Sequence, residues 1–442
     1  MYATLGIRRE DKNRWERRVP LVPSDVKTLT AAHNASFVIQ PSPIRACPIS
    51  EYESVGALVD EDLSSCSVVF AVKEVPLDLI VRGRTYVFFS HVIKGQPHNM
   101  PMLARLMEYG CNLIDYEKMV DDRGRRLIFF GNFAGKAGMV DTLWALGKRL
   151  KWEGWHTPLE QVLPAHHYGD TIHAKEELGT IGAAIAEGLP EPLCPMVIGF
   201  SGYGNVSTGA QEMLACFPVE EIAPSELSHL MTSGGARDRV FKVVFKEEHL
   251  VEPLDSAQGF ELADYMAHPE KYRSTFFKYW TSLTVLLNGI YWENRYPRLI
   301  TKEQLQREMT GPVRPRLRVV GDVSCDIEGS IEFTVRATDP DEPIYVYDPI
   351  HHVTVPGVAG CGPVVMAVDN LPCEFPREAS EVFSRALTPF VPSFVTADYG
   401  ASLDDSGLPV ELRRATILWH GRLTPPFAYL ERHVARYLKS TS

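Results

Sequence analysis

The segment from residue 197 to 210 constrains the fold of this chain more than any other stretch. It reads VIGFSGYGNVSTGA, so an apolar run enters a glycine-rich turn and small residues follow it. Glycines where a strand becomes a helix permit a tight turn, a close approach of backbone amides to a pyrophosphate, and close packing of the helix on the strand. The helix then offers free N–H groups and a positive end to the phosphates. The segment therefore predicts a dinucleotide-binding turn between a strand and a helix.

The turn matches the GxGxxG/A dinucleotide fingerprint, with Ser207 at the third small position. A glycine-rich turn without a ligand is the alternative interpretation. The strand-like residues before the turn and the helix-compatible residues after it favour a nucleotide. The predicted cofactor contacts at this turn are Gly202, Tyr203, Gly204, Asn205 and Val206.

The choice of nucleotide depends on the end of the next strand. In the common dinucleotide fold an acidic residue there, about 20 residues after the fingerprint, binds a ribose hydroxyl of NAD. That region reads FPVEEIAPSEL, in which Glu220 and Glu221 are predicted to lie inside the strand. The predicted tip is residues 223–225, so Ser225 is a further predicted cofactor contact. A tip without a carboxylate favours NADPH, and NADH is the less favoured alternative.

The first third of the chain alternates strand-like and helix-like segments, and a second alternating series starts at the glycine turn. Continuous apolar runs rich in β-branched and aromatic residues suit strands that are buried on both faces. Such runs occupy residues 67–73, 85–91 and 111–117. A βαβα order predicts a parallel sheet flanked by helices. Because 442 residues are too many for one core, the predicted fold class is α/β, with two Rossmann-like lobes and a cleft between them.

Polar side chains stand at or near the ends of the predicted strands in the first lobe. Lys73, His91 and Glu117 each end a strand, and Arg18 follows the first strand. Open α/β sheets bind ligands outside the carboxyl ends of their strands. Taken alone, each residue is more often a solvated or salt-bridged group. Together they predict a site in which lysine and histidine exchange protons and arginine holds a carboxylate.

Composition argues against several other classes of function. The net charge of −11 disfavours a nucleic-acid-binding surface, which would be basic. The eight cysteines form no CxxC pair, and the histidine pairs 166–167 and 351–352 have no carboxylate or cysteine at ligand spacing, so no metal is predicted. The start of the chain has no apolar leader, and no run reaches the ~18 apolar residues of a membrane helix. A cytoplasmic protein without a membrane contact is predicted, and the mitochondrial matrix is the alternative.

Several longer motifs resemble one enzyme family. They span nearly the whole chain and include WERRVPLVP, FFSHVIKGQ, IDYEKMVDDRGRR, FGNFAGKAGM, GYGNVSTGAQ, LNGIYWEN, GDVSCDIEGSIEF and DNLPCEFPREASEVF. The chain resembles lysine–2-oxoglutarate reductase, the saccharopine-forming dehydrogenase that often forms the N-terminal half of α-aminoadipic semialdehyde synthase. Its wider relatives are alanine dehydrogenase-like enzymes. The resemblance implies that L-lysine condenses with 2-oxoglutarate and that NADPH reduces the resulting imine to saccharopine.

The resemblance also implies roles for individual residues. Lys73, in VKEVP, and His91, in FSHVIK, match the acid–base pair of related enzymes. Arg18 matches an arginine that binds a substrate carboxylate. The other implied contacts are Glu117, Arg125 and Arg126 for the substrate and Asp322 for the cofactor.

The resemblance further implies a discontinuous first lobe. Residues 1–138 and 345–442 form the predicted substrate and catalytic lobe, and residues 139–344 form the predicted dinucleotide-binding lobe. The implied partners are the two small substrates, and the resemblance is compatible with a homo-oligomer and with fusion to, or association with, a saccharopine-oxidising domain. Two alternatives stay open: an alanine dehydrogenase-type enzyme that uses free ammonia, and a catalytically silent NADP-binding regulatory module.

Overall fold

The chain forms two compact units. In the computed structural model, which describes residues 3–441, the first unit comprises the residues up to Phe130 and those from Pro376 onward. The second unit is the intervening segment, Gly131–Phe375. The first unit is thus discontinuous in sequence, but its boundaries differ from the predicted 138 and 345. Residues 345–375 belong to the second unit because the strands at Ile344–Asp348 and Val364–Met366 pair within its sheet.

The strands of the described residues are numbered in chain order. They are β1 Thr4–Ile7, β2 Ser36–Ile39, β3 Leu58–Val59, β4 Val68–Phe70, β5 Thr85–Phe88, β6 Asn112–Asp115, β7 Val197–Ser201, β8 Val219–Glu221, β9 Val240–Phe245, β10 Val251–Pro253, β11 Tyr272–Ser274, β12 Val285–Asn288, β13 Val319–Asp322, β14 Ile344–Asp348, β15 Val353–Pro356, β16 Val364–Met366, β17 Thr416–Trp419 and β18 Arg422–Leu423.

The α-helices are numbered in the same way. They are α1 Pro23–His33, α2 Ile49–Ser54, α3 Met100–Glu108, α4 Gly131–Trp152, α5 Thr171–Ala186, α6 Asn205–Leu214, α7 Leu227–Ser233, α8 Glu247–Leu250, α9 Leu262–Ala267, α10 Phe277–Trp280, α11 Lys302–Thr310, α12 Pro376–Leu387, α13 Val391–Thr396, α14 Val410–Ala415 and α15 Glu431–Thr441.

The sheet of the first unit has eight strands in the order β18–β17–β6–β5–β4–β1–β2–β3. In this order, the neighbouring strands β6, β5, β4, β1, β2 and β3 all pair in parallel. At the edge beside β6, β17 pairs antiparallel with β6, and β18 pairs antiparallel with β17. All residues of β4, β5 and β6 are buried, which explains their continuous apolar runs. The carboxyl ends of the parallel strands therefore meet at one edge of this sheet.

The sheet of the second unit also has eight strands, in the order β15–β14–β16–β13–β12–β7–β9–β8. The six strands from β16 to β8 are parallel. In the common dinucleotide fold the second strand lies beside the first. Here β9 lies beside β7, and β8 is displaced to the edge of the sheet. The displacement has a physical reason, because β8 carries the exposed Glu220 and Glu221, which suit an edge, whereas β9 is largely buried.

This architecture confirms the predicted α/β class with two parallel-dominated sheets flanked by helices. Several strands end earlier than the apolar runs predict, since β4 ends at Phe70 and β5 at Phe88. Within residues 3–441, no helix combines the length and the apolar character that crossing a bilayer would require.

Two buried carboxyl groups connect α4 to the end of the second unit. Asp141 and Glu374 are 1 % and 2 % exposed, and their carboxyl groups hydrogen-bond each other. Asp141 Oδ1 accepts from the Ala165 amide at 2.8 Å, and Glu374 Oε2 lies 3.1 Å from Nδ1 of His166. Burial raises the pKa of Glu374 to about 7 and that of Asp141 well above its usual range. The pair therefore holds at least one proton near neutral pH.

The shared proton predicts a pH dependence of folding stability. The folded-state pKa of Glu374 is raised from 4.5 to about 7, so the folded protein binds more protons than the unfolded chain between these values. The stabilisation that this pair gives the folded protein is fully present below the unfolded pKa and is lost as the pH rises through about 7. Between these two values the free energy of unfolding falls by about 1.4 kcal/mol per pH unit for each extra proton that the folded protein binds. In Asp141→Asn the amide donates to Glu374 without titrating. We expect the stability of the wild type to fall relative to this variant over that pH range.

The measurement is the urea midpoint of both proteins at several pH values across that range. Glu187→Gln, an exposed change at the end of α5, is the matched control and is expected to follow the wild type. Parallel pH profiles for the wild type and Asp141→Asn would contradict a shared proton.

Candidate active site

The predicted acid–base residues lie at the carboxyl edge of the first sheet. Lys73 follows β4 and His91 follows β5, and each lies three residues beyond the end of its strand. The two strands are parallel neighbours, so the structure brings the loops that carry these side chains together. His91 has a φ of 51°, in the left-handed region that non-glycine residues adopt rarely. Such a conformation commonly marks a functional turn.

The imidazole of His91 is paired with a carboxylate that the sequence analysis missed. Nδ1 of His91 lies 2.6 Å from Oε1 of Glu74, and Nζ of Lys12 lies 3.6 Å from Oε2 of the same carboxylate. Burial would raise the pKa of Glu74, but the hydrogen bond and charge of His91 and the charge of Lys12 outweigh it and hold the pKa at about 2. Glu74 is therefore an ionised partner that orients the ring of His91. In the sequence, the position of Glu74 directly after Lys73 could have indicated that Glu74 belongs to the site.

Lys73 is half-buried, and a second missed carboxylate holds its backbone. Oε1 of Glu10 accepts from the Val72 amide at 2.7 Å, and Oε2 accepts from the Lys73 amide at 3.0 Å. These bonds take up the amides that strand pairing would otherwise use, which explains why β4 ends at Phe70. Burial lowers the pKa of the Lys73 ammonium, and the nearby cations Arg18 and Lys12 lower it further. Lys73 is thus biased toward its neutral form, as a proton acceptor requires.

Arg18 is buried close to Lys73, with 3 % of its surface exposed. Its Nε and Nη2 donate to Glu16 at 2.8 and 2.5 Å, and its guanidinium lies 4.2 Å from the ring centre of Phe130. Two parallel bonds to one carboxylate are the geometry by which arginine recognises carboxylates in general. A substrate carboxylate would have to share this guanidinium with Glu16.

The predicted residues after β6 divide into two ion pairs. Glu117 bonds to Arg126, and its amide donates to Oδ1 of Asp115 at 2.8 Å. Arg125 instead pairs with Asp121 at 2.7 Å, and 71 % of its side chain is exposed. The structure therefore joins Arg126 to Glu117 and directs Arg125 to a different carboxylate. Neither arrangement tests their predicted substrate contacts, which stay predictions.

The glycine turn of the second unit has the geometry of an anion-binding turn. Gly202 follows β7 with a φ of 94°, a conformation that glycine adopts without strain. Helix α6 begins at Asn205, so its free amides face the turn. The space beside Gly204 is open, because a Cβ placed there would meet no atom within 4 Å. These features fit the pyrophosphate of a dinucleotide.

A cavity of 330 Å³ adjoins the turn within the second unit. Four tyrosines stand in its wall, and Tyr203 on the turn donates to Oε2 of Glu247 at 3.2 Å. The residues that line it are Gly202, Tyr203, Gly204, Glu247, Leu250, Tyr265, Met266, Gly289, Ile290, Tyr291 and Tyr296.

The strand order changes which residues stand beside the turn. Ser225 is exposed beyond β8, at the edge of the sheet. The strand that lies beside β7 is β9, and the residues after it are the exposed Lys246 and the cavity-lining Glu247. Sequence reasoning missed them because it assumed that the next strand in the chain is the next strand in the sheet. The stronger apolar character of VFKVVF than of VEE was the available signal.

Asp322 is fully buried at the end of β13 and serves an internal network. Oδ1 accepts from Asn288 at 2.9 Å and from Ser324 at 2.6 Å, and Oδ2 accepts from Thr334 at 2.5 Å. Burial raises the pKa of Asp322, and these hydrogen bonds oppose the rise. The carboxylate thus fixes the loops after β12 and β13, and a direct cofactor contact stays a prediction.

The described residues contain no group of three or more histidine, cysteine, aspartate or glutamate side chains that could hold a metal ion. The two histidine pairs have other partners within the second unit. His166 lies against Glu374, and His351 lies 2.9 Å from Asp348.

Two family models match the chain. The model described as "Alanine dehydrogenase/PNT, N-terminal domain" matches residues 6–137, and "Alanine dehydrogenase/PNT, C-terminal domain" matches residues 285–426. The chain belongs to the alanine dehydrogenase/PNT family. Membership supports an oxidoreductase that binds a pyridine nucleotide, NAD or NADP, and it confirms the predicted superfamily.

Named relatives show which known proteins the chain is similar to in sequence. The chain is 38 % identical to α-aminoadipic semialdehyde synthase of Arabidopsis thaliana, over 97 % of this chain and 41 % of that protein. It is 35 % identical to the mitochondrial α-aminoadipic semialdehyde synthase of Rattus norvegicus, over 97 % and 47 % respectively. The chain thus spans about half the length of these relatives or less. It is also 27 % identical to the saccharopine dehydrogenase (NAD+, L-lysine-forming) of Yarrowia lipolytica, over 87 % and 90 %.

Solved structures share the fold. An L-alanine dehydrogenase matches with a TM-score of 0.57 and 18 % identity, over 98 % of this chain and 99 % of that one. A transhydrogenase from Sinorhizobium meliloti matches with a TM-score of 0.52 and 16 % identity, over 96 % and 100 %.

The contact between α4 and α6 generates a prediction about the glycine turn. A Cβ on Gly209 would lie 2.0 Å from the backbone oxygen of Asn132, so Gly209→Ala must push α6 away from α4. We expect a loss of stability of about 1–3 kcal/mol, because overpacking displaces the backbone. Nucleotide binding should weaken as well, since α6 begins at the turn. Thermal unfolding and nucleotide titration measure the two effects.

Gly179→Ala in α5 is the matched control, because a Cβ there would meet no atom within 4 Å. Removing that glycine should be neutral or should stabilise the helix by up to about 1 kcal/mol. Equal melting temperatures for Gly209→Ala and the wild type would contradict the close helix contact.

Proposed function

We propose that this protein condenses L-lysine with 2-oxoglutarate and reduces the resulting imine with NADPH to saccharopine. The observation that carries the proposal is the grouping of Lys73, with its lowered pKa, near the His91–Glu74 pair and Arg18. The similarity to the synthases and to the L-lysine-forming dehydrogenase supports the choice of substrates. The matched family supports the use of a pyridine nucleotide.

The proposed chemistry assigns a proton-transfer role to each residue of the pair. The ε-amine of lysine attacks the keto carbon of 2-oxoglutarate, and a C–N bond forms as the carbonyl π bond opens to the oxygen. Neutral Lys73 accepts the proton that the attacking nitrogen releases and passes it to the alkoxide oxygen, which becomes a hydroxyl group. His91, held by Glu74, donates a second proton to this hydroxyl group, so that the C–O bond breaks, water leaves and the protonated imine forms. Arg18 holds a carboxylate of 2-oxoglutarate. NADPH supplies the hydride that reduces the imine carbon.

The choice of NADPH is part of the proposal. The exposed tip after β8 carries Ser225, and the Glu226 carboxylate beside it accepts from the Ala223 amide at 2.7 Å; the strand beside β7 is followed by an exposed cation, Lys246. A cation at that tip is suited to the 2′-phosphate of NADPH. Glu247 follows directly and would favour an unmodified ribose, so NADH is the alternative that the assay must include.

We further propose that the product is passed to a saccharopine-oxidising activity, on a fused or separate domain. This follows from the similarity to α-aminoadipic semialdehyde synthases, which are about twice as long as the region they share with this chain. The proposed compartment is the cytoplasm, and the mitochondrial matrix is the alternative that the name of the rat relative supports.

An absorbance assay tests the reaction. The purified protein is incubated with lysine and 2-oxoglutarate, and separately with ammonia and pyruvate, each with NADPH and with NADH. We expect a loss of reduced-nucleotide absorbance that requires both lysine and 2-oxoglutarate and is faster with NADPH. A loss only with ammonia and pyruvate would establish the alanine dehydrogenase-type alternative, which the fold of the solved L-alanine dehydrogenase favours. Tight NADPH binding without turnover in either mixture would establish the regulatory module.

Substitution of the proposed pair tests the residue roles. Lys73→Met and His91→Asn should each slow turnover by about 10²-fold or more, because each removes a proton-transfer group. The dissociation constant for NADPH should stay near that of the wild type in both variants. Lys27→Met, at an exposed position on α1, is the matched control. Wild-type turnover in both variants would remove the pair from the mechanism.

A further inference from the structure

A tyrosine of the glycine turn is bonded to a carboxylate that follows the neighbouring strand. Tyr203 lies between Gly202 and Gly204, and its hydroxyl donates to Oε2 of Glu247 at 3.2 Å. Both side chains belong to the wall of the 330 Å³ cavity that adjoins the turn. The bond therefore joins the turn after β7 to the residues after β9, the strand that lies beside β7 in the sheet.

The position of Glu247 relates this bond to the choice of nucleotide. In the common dinucleotide fold, an acidic residue at the end of the strand beside the fingerprint strand accepts from the ribose 2′-hydroxyl of NAD. The same carboxylate repels the 2′-phosphate of NADP, because like charges oppose each other. Glu247 occupies this place, two residues beyond the end of β9. A Glu247 side chain without a partner would therefore favour NADH.

The hydroxyl of Tyr203 is a lasting donor to this carboxylate. The charge of Glu247 is the main cause that raises the pKa of Tyr203 above its usual value, so the phenol keeps its proton at neutral pH. Each hydrogen bond that a carboxylate accepts within the protein occupies a lone pair that a ligand could otherwise use. Tyr203 thus partly satisfies Glu247 before any nucleotide binds.

Other acidic side chains near the end of β9 also have partners. Glu220 and Glu221, on the edge strand β8, pair with Arg239 at 3.1 Å and with Lys242 at 2.6 Å. Glu247 is therefore the acidic residue of this region that lines the cavity beside the turn, and its partner is a neutral hydroxyl group.

The cation at this place has no such partner. Lys246 directly precedes Glu247 and is exposed, and its ammonium makes no hydrogen bond or ion pair with any residue in the range 3–441. A free ammonium beside a carboxylate that is already engaged suits a 2′-phosphate better than a 2′-hydroxyl group.

We propose that Tyr203 is a positioning residue for nucleotide specificity and acts through Glu247. Its hydroxyl withholds the carboxylate from the 2′ position of the adenosine ribose, so that a 2′-phosphate meets the ammonium of Lys246. The inference rests on the proposed use of NADPH and adds the residue that permits it.

Two fragments of the nucleotides test the inference without turnover. Adenosine 2′,5′-bisphosphate and 5′-AMP differ in the 2′-phosphate alone, and calorimetric titration gives the dissociation constant of each. Tyr203→Phe keeps the ring and removes the donor. We expect the preference of the protein for the bisphosphate over 5′-AMP to fall by about tenfold in this variant, because the released carboxylate repels the phosphate and accepts from the free hydroxyl group.

A double substitution separates this effect from a structural role of the ring. In Glu247→Gln the side chain still accepts from Tyr203 but carries no charge, so the preference for the bisphosphate should be equal to that of the wild type or greater. Adding Tyr203→Phe to Glu247→Gln should then leave the preference unchanged, because the effect of Tyr203 requires the charge of Glu247. A purely structural role would instead weaken the binding of both fragments alike.

Tyr291 offers a matched control in the same cavity. It is an exposed tyrosine of the cavity wall, and its hydroxyl donates to Glu293, which lies outside that wall. Tyr291→Phe removes the same atom and the same kind of bond. The preference for the bisphosphate should stay at the wild-type value.

The inference and the proposed function can fail separately. An unchanged preference in Tyr203→Phe, an equal fall when Glu247→Gln is also present, or binding of neither fragment by the wild type would overturn the inference. The proposed reaction is decided by the absorbance assay, and the proposed use of NADPH fails if NADH supports faster turnover by the wild type. Neither of those results depends on the change that Tyr203→Phe makes to the binding of the two fragments.

Discussion

The parallel pairing of β1, β4, β5 and β6 is the constraint on which the candidate site depends. Parallel strands deliver all of their carboxyl ends to one edge of the sheet, so loops far apart in sequence meet there. Lys73 and His91 come together for this reason, although 17 residues separate them. The short buried strands contribute no chemistry themselves, but their burial fixes the register that places the loops.

Buried carboxylates set the electrostatics of that edge. Glu10 has a pKa raised to about 7 by burial and by the nearby Glu16, yet its oxygens hold the two amides that position Lys73. Glu16 is saturated by Arg18, while Glu74 stays ionised beside His91. Positive and negative groups thus alternate over a short distance at this edge. Burial disfavours the ammonium form of Lys73, while Arg18 and Lys12 remain there as cations.

The fold class and the positions of the polar side chains could be predicted from the sequence because both follow from short-range patterns. Apolar runs identify strands, and polar residues at their ends identify the functional edge. Three features could not be read in this way. The true ends of β4 and β5 depend on side-chain acceptors such as Glu10. The strand beside β7 is β9 and not β8, the next strand in the chain. The boundary between the units depends on the pairing of β14 with β16. Each of these is a long-range contact that periodicity alone does not encode. The partner of His91, Glu74, lies within the recognised motif, and only the geometry reveals its role.

The passage of the chain from the first unit into the second and back has a consequence for biosynthesis. The ribosome synthesises all of the second unit before it makes β17, which pairs with β6, or α12, whose Ser380 and Ser384 accept hydrogen bonds from the backbone amides of Val19 and Val22. During translation the nascent N-terminal segment must therefore wait with an open sheet edge at β6, a feature that invites non-native pairing. A truncated polypeptide that ends near residue 375 would contain every residue of the second unit and yet lack the last third of the first.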